Sequence, residues 1–206
     1  MKIFLGADHR GFDLKEHLLA WLQHQGYETI DCGDMVEDAS DDYVDFTARV
    51  CEQVLAENRP HLSTQTLVEP QSIQLTAVPK KSEPSHSDSP TVKLQSAQSI
   101  LKPQKSDLQG SEQEEVQEKA MGIVICGSGI GVTIAANRFR GIRCALCISQ
   151  AHAEHARTHD HANVLALASE MLSEDDAHSI ILRFFTTEPD NNEQYIRRRE
   201  KLDMIA

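Results

Sequence analysis

Apolar positions along the chain alternate between continuous short runs and helical spacing. "KIFLGA" (2–7) is a short apolar run bounded by a polar turn, which predicts a buried strand. "DLKEHLLAWLQHQG" (13–26) follows with Leu14, Leu18, Trp21 and Leu22 at helical spacing and Gly26 as the stop. "YETIDC" predicts a second strand, and Tyr43 to Glu57 a second amphipathic helix after the acidic turn "EDASDD". Farther on, "MGIVICG" (121–127) predicts a strand that runs through a glycine turn into a helix ending near Phe139. "IRCALCIS" (142–149) predicts another buried strand, "QAHAEHARTH" a helix and "NVLALAS" (163–169) a fifth strand. "SEDDAHSIILRFFTT" is a helix opened by Ser173, with acids in its first turn where the helix dipole favours them. "NNEQYIRRREKLDMIA" closes the chain as a basic-faced helix. Strands alternating with helices predict an α/β fold, a three-layer α/β/α sandwich on a five-stranded parallel, Rossmann-like sheet. A site is expected at the carboxyl ends of its strands.

The rhythm breaks between residues 60 and 119. Six of the seven prolines fall there among many Ser, Gln and Lys, and Phe, Trp, Tyr and Cys are absent. Such a composition buries too little apolar surface to offset an ordering cost of about 1–2 kcal/mol per residue. The expectation is one domain, 1–206, interrupted by a low-complexity, disordered insertion at 60–119, in which only "SIQLTAV" and "AQSILK" could pair or dock.

Composition narrows the function classes. Thirty-two acidic against 20 basic residues give a formal charge of −12, which disfavours a broad grip on nucleic acid or on an anionic membrane. The N-terminus lacks the layout of a signal peptide, and no stretch approaches the roughly 20 apolar residues of a membrane span. The five cysteines, Cys32, Cys51, Cys126, Cys144 and Cys147, are odd in number, and C-A-L-C (144–147) is their one close pair. Together these features predict reduced thiols in a cytoplasmic protein.

The chemistry concentrates in "ICGSGIGVTIAANR" (125–138). Gly127, Gly129 and Gly131 let a backbone approach a ligand closely, and a following helix offers unpaired N–H groups. The spacing is not that of a dinucleotide fingerprint, since Val132 stands where the third glycine belongs, and no Gly-Lys-Ser/Thr makes it a P-loop. A tight turn with no ligand is the plain alternative. Cys126 at the lip of the turn shifts the balance, because a thiol at a helix start can serve as a base or nucleophile. Beside N–H donors it supplies both parts that proton abstraction next to a carbonyl needs, a base and a cradle for the enediolate.

Two other stretches carry titratable groups. Asp8 and His9 leave the first strand at its carboxyl end, as a ligand contact or as a solvated turn pair. His152, His155 and His159 share one helical face with His161 just beyond, a spacing that fits either a metal site or a solvated face. With no carboxylate or Cys completing a set, a single histidine at the helix end is the better acid–base candidate.

These residues resemble the sugar-phosphate isomerase family that contains type B ribose-5-phosphate isomerase and the galactose-6-phosphate isomerase subunits. The match rests on "GADHRGFDLKEHL", "DYVDFTARV", "GIVICGSGIGVTIAANRFRGIRCALC" and "ARTHDHANVLALAS", and covers the chain apart from the insertion. The resemblance implies that Cys126 moves a proton between C2 and C1 of an open-chain sugar. It further implies that the N–H groups of Gly127 to Gly131 hold the enediolate, with the Ser128 hydroxyl assisting. His159 would open the furanose ring aided by Asp8, Tyr43 and Asn137 would line the pocket, and His9 would contact phosphate. No metal or other cofactor is implied, and the sites would be shared between the subunits of a homodimer or tetramer.

The chain also departs from the family pattern. Where the family reads H-N-D-A-N this chain has "HDHAN", so Asp160 replaces an amide that contacts the sugar and His161 replaces an acid. Glu170 stands where an arginine usually binds phosphate, and Gln194 stands for a second arginine, leaving Arg198 as the aligned cation. An acid facing the phosphate would cost several kcal/mol of binding. The leading expectation is interconversion of ribose 5-phosphate and ribulose 5-phosphate. The alternatives are a different or unphosphorylated sugar, and a non-catalytic sugar-phosphate-binding or regulatory relative.

Overall fold

The computed structural model describes residues 1–59 and 120–205; the expected insertion at 60–119 lies outside the described residues. Five strands, β1 (Lys2–Ala7), β2 (Glu28–Asp31), β3 (Ala120–Cys126), β4 (Cys144–Leu146) and β5 (Val164–Ala168), form one sheet. All neighbours are parallel, in the order β2-β1-β3-β5-β4. Six helices follow the strands in alternation: α1 (Phe12–His24), α2 (Tyr43–Glu57), α3 (Ile130–Ala136), α4 (Gln150–Thr158), α5 (Glu174–Thr186) and α6 (Glu193–Asp203). The three-layer α/β expectation therefore holds.

The central strands are buried on both faces, which is why they read as unbroken apolar runs. Ile3 and Leu5 of β1, Ile123 and Ile125 of β3, and Leu165 and Leu167 of β5 pack with α1, α4 and α5. Phe4, Val124, Cys126, Val164 and Ala166 point the other way, among Val50, Cys51 and Val54 of α2 and Val132 and Ala136 of α3. The chain thus leaves β1 toward one face and β3 toward the opposite face. That divergence opens a crevice at the carboxyl ends of these two neighbouring strands, the place where such sheets bind ligands.

Several boundaries move from their sequence positions for local reasons. A 3₁₀ turn (His9–Gly11) precedes α1, which starts at Phe12 and ends ahead of Gly26, a left-handed glycine with φ 88°. The helix after the glycine turn stops at Ala136, short of Phe139, because the Asn137 side chain ties its end to the sheet. Asn137 Nδ2 donates to Thr133 O and Cys144 O, and Oδ1 accepts from Cys144 N at 2.9 Å. The predicted strand 142–149 pairs only over Cys144–Leu146, as an edge strand with one neighbour. Ser173 caps α5 as expected, accepting from Asp176 N. Lys15, inside the amphipathic pattern of α1, has a fully buried side chain whose ammonium meets Asp31 at 2.5 Å, Glu16 at 2.6 Å and the Asp34 carbonyl. Its aliphatic stem lies along the apolar face while its charge is fully partnered. No helix among the described residues is long and apolar enough to cross a membrane.

Candidate active site

Cys126 is the last residue of β3, paired across the ladder with Ala168 of β5. The chain then turns through Gly127, Ser128 and Gly129 into α3. Gly129 adopts φ 72°, a left-handed conformation, and its N–H donates to Cys126 Sγ at 3.2 Å. The turn therefore folds a backbone donor back onto the sulfur. Ser128 Oγ faces the helix start, accepting from Ile130 N at 3.4 Å. A methyl built on Gly131 would stand 2.8 Å from Tyr43 Cζ, so the phenol at the start of α2 lies directly against the turn.

The geometry at Gly129 makes a stability prediction. A Cβ there would sit 2.4 Å from Leu146 Cδ1 on a left-handed backbone. Gly129→Ala is expected to cost about 1–2 kcal/mol from backbone strain alone, lowering Tm by about 2–8 °C in a thermal melt. An unchanged Tm would show that the turn has another low-energy form.

Next to this turn, β1 delivers Asp8 and His9. The Asp8 carboxylate is buried, accepts from Gly11 N at 3.1 Å and caps the 3₁₀ turn. Burial pushes its pKa above the ordinary carboxylate value, against the pull of the Gly11 N–H and His9. His9 is held from above by Asp41, which accepts from its Nδ1 at 2.7 Å and from its backbone N–H at 3.1 Å. The Asp41 carboxylate raises the imidazole pKa and favours the charged ring.

Two further residues complete this end of the sheet. Ser169, just after β5, donates its hydroxyl to Arg10 O at 2.8 Å, and its N–H bonds Cys126 O. Glu170 pairs with the Arg10 guanidinium, directly over Gly127. The acid that replaces the expected arginine is thus turned onto a cation from the 3₁₀ turn after β1. Arg10, Asp41 and Ser169 escaped the sequence reading. The "DHRG" stretch held the signal for Arg10, whereas Asp41 lies in a loop whose path no periodicity fixes.

The remaining expected residues lie elsewhere. His159 caps the carboxyl end of α4, five residues before β5 begins, and Val164 pairs with Gly122 at the amino end of β3. His159 therefore stands at the amino ends of the strands and Cys126 at their carboxyl ends; the steps along β5 between them span about 13 Å. His159 stacks on Tyr195 of α6, centroids 4.6 Å apart, and Arg198 lies 5.8 Å over the same ring. Asp160 and Asn137 line a cavity of about 600 Å³ with Arg143, Leu202 and Asp203, apart from the glycine turn. The His155 and His159 rings stack 5.0 Å apart, and among the described residues no group of three or more His, Cys, Asp or Glu is arranged to hold a metal ion.

The site residues thus form two clusters at opposite ends of the sheet. Asp8, His9, Tyr43, Cys126, Gly127, Ser128, Gly129 and Gly131 make one, and Asn137, His159, Asp160 and Arg198 belong to the other end.

Comparison with known proteins bears on the family and the fold. The chain is 29% identical over 206 residues to ribose-5-phosphate isomerase B of Mycobacterium tuberculosis, covering 100% of this chain and 88% of the relative. It is 28% identical to the protein of that name from Mycolicibacterium paratuberculosis, covering 90% of it. The structure of the Clostridium thermocellum ribose-5-phosphate isomerase B superposes with a TM-score of 0.67 at 27% identity, covering 100% of this chain and 97% of the other. The Mycoplasma genitalium ribose-5-phosphate isomerase B, solved with bound ribulose 5-phosphate, superposes with a TM-score of 0.67 at 25% identity, over 99% of this chain and 95% of the other. The family profile described as Ribose/Galactose Isomerase matches residues 3–62 and 107–205, most of the chain, and by that match the protein belongs to the ribose/galactose isomerase family.

Proposed function

We propose that the protein interconverts ribose 5-phosphate and ribulose 5-phosphate through an enediolate, with Cys126 as the base. The observation that carries this reading is the Cys126 sulfur at the strand-order divergence, accepting from the Gly129 N–H beside buried Asp8 and the Asp41-paired His9. The relatives' shared name and the ribulose 5-phosphate bound by one of them support the choice of sugar.

In this mechanism the furanose first opens, with His159 and Asp8 moving the protons of the ring oxygen and the anomeric hydroxyl. Asp8 suits that role because burial favours its protonated form. The Cys126 thiolate then takes the proton from C2. The electron pair moves toward the carbonyl oxygen on C1, and the glycine turn with Ser128 stabilises the charge. Cys126 returns the proton to C1 as the proton on O2 passes to O1; C2 becomes the carbonyl carbon, C1 carries a hydroxyl, and the ketose results with no net gain or loss of atoms. The residues at the other end of the sheet come from a second copy in a homodimer or tetramer, so that His159, Asn137, Asp160 and Arg198 of one chain meet Cys126 of the next. No cofactor takes part.

The acid at 170 and the amide at 194 favour a second reading, a different or unphosphorylated sugar. Incubation in heavy water with ribose 5-phosphate, allose 6-phosphate and free ribose separates the two. Deuterium should enter the product fastest from ribose 5-phosphate; faster labelling of free ribose overturns the first reading.

A further inference from the structure

We propose that Arg10 is the cation that receives the substrate's phosphate and that Glu170 is its exchangeable counter-ion, a pair that sets the preference for phosphorylated over free sugars. The proposal rests on the sugar-phosphate reading above and names the group that would grip the substrate's charged end.

The placement is built from three adjacent strands. Arg10 follows β1, Gly127 follows β3 and Glu170 follows β5, all at the carboxyl ends. A methyl on Gly127 would stand 2.7 Å from Arg10 Cζ and 3.0 Å from Glu170 Oε1, so guanidinium and carboxylate both rest on the glycine turn. The backbones that carry them are fixed. Ser169 Oγ donates to Arg10 O, Ser169 N to Cys126 O, and Glu170 N to Gly127 O at 3.1 Å. The ends of the side chains are not enclosed: Arg10 is 52% and Glu170 50% exposed. Water screens such a pair, so it is weakly held.

Charge sets the direction of exchange. Asp8, Asp41 and Glu170 gather around Arg10 and His9, and the His9 ring is already engaged by Asp41. A phosphate brings nearly two negative charges and three acceptor oxygens, and a guanidinium can meet two of those oxygens at once. A phosphate therefore replaces the single carboxylate of Glu170 on Arg10, and the released acid turns to solvent. An uncharged hydroxymethyl group offers Arg10 nothing in exchange and leaves the ion pair closed over the turn. Glu170 accordingly weakens phosphate binding while it sharpens the choice between phosphorylated and free sugars.

The test combines calorimetric binding of inorganic phosphate and ribose 5-phosphate with steady-state kinetics on ribose 5-phosphate and ribose. Arg10→Gln should weaken binding of both phosphate compounds at least about tenfold and raise KM far more than it lowers kcat, shrinking the kcat/KM ratio between the two sugars. Arg10→Lys should recover part of the loss, since it keeps the charge without the fork. Glu170→Gln should tighten phosphate binding severalfold. The proposal fails if Arg10→Gln lowers kcat/KM equally for both sugars, if Glu170→Gln weakens phosphate binding, or if the unaltered protein binds no phosphate. Phosphate binding that depends on Arg10, in a protein that does not isomerise ribose 5-phosphate, would uphold Arg10 and overturn the reading on which it rests.

Discussion

Cys126→Ala should reduce exchange of the C2 proton with solvent by about 10²–10⁴-fold, the usual worth of a positioned acid or base, while leaving the protein folded. The fold should survive because Cys126 ends its strand. Its backbone stays in the β3–β5 ladder opposite Ala168, and its carbonyl still accepts from Ser169 N. Alanine removes one buried sulfur, a change of about 1 kcal/mol, small beside the strands and helices that pack around it. Gly129 loses the acceptor for its N–H, so a modest drop in Tm is expected with an unchanged circular dichroism spectrum. Cys126→Ser is the sharper control, since an oxygen keeps an acceptor for Gly129 while a hydroxyl is a far weaker acid than a thiol. Both variants should still bind ribose 5-phosphate, and so lose kcat rather than binding. Retention of full exchange by either variant would remove Cys126 from the reaction and leave the glycine turn as a binding element alone.

What the sequence made legible follows from how strongly each feature depends on its neighbours in the chain. The unbroken runs of β1, β3 and β5 and the capped start of α5 are local patterns, and the structure keeps them. The turn after Cys126 was legible for the same reason, since three alternating glycines at a strand end have few other uses. The stop of α3 at Ala136 was not, because the Asn137 side chain reaches across to Cys144, a contact that no periodicity encodes. By sequence alone, the replacement of a family arginine by Glu170 implies a loss of phosphate affinity. In the fold its meaning differs, because the ends of β1 and β5, more than 150 residues apart, bring Arg10 beside it. Most of the candidate residues were identifiable one by one, but their division between the two ends of the sheet emerges only from strand order and direction. His159 and Cys126 look like partners in sequence, and the parallel ladder separates them.

That separation makes the second large prediction. Cys126→Ala and His159→Ala, each purified alone, should be nearly inactive. Mixed under conditions that allow subunits to exchange, they should regain about a quarter of the unaltered activity. The figure follows from symmetry. Random pairing makes half the dimers mixed, and in a mixed dimer one shared site carries both substitutions while the other carries neither. Recovery requires that the Cys126 of one chain works with the His159 of another, the arrangement proposed above from their positions at opposite ends of the sheet. The surface suits such a pairing. Ile130 and Ile134 on α3 and Val44 at the start of α2 are 55%, 55% and 47% exposed, beside the Tyr43 and Gly131 contact at the glycine turn. An apolar stretch of this kind at the mouth of a polar crevice is better covered by protein than by water. If the mixture stayed inactive although mass measurement showed mixed dimers, each chain would have to complete its own site, and His159 would have to be replaced as the ring-opening residue by a group at the carboxyl ends of the strands. Of the groups gathered there, His9 is the titratable imidazole, and its tie to Asp41 would then be the hydrogen bond that orients a catalytic ring.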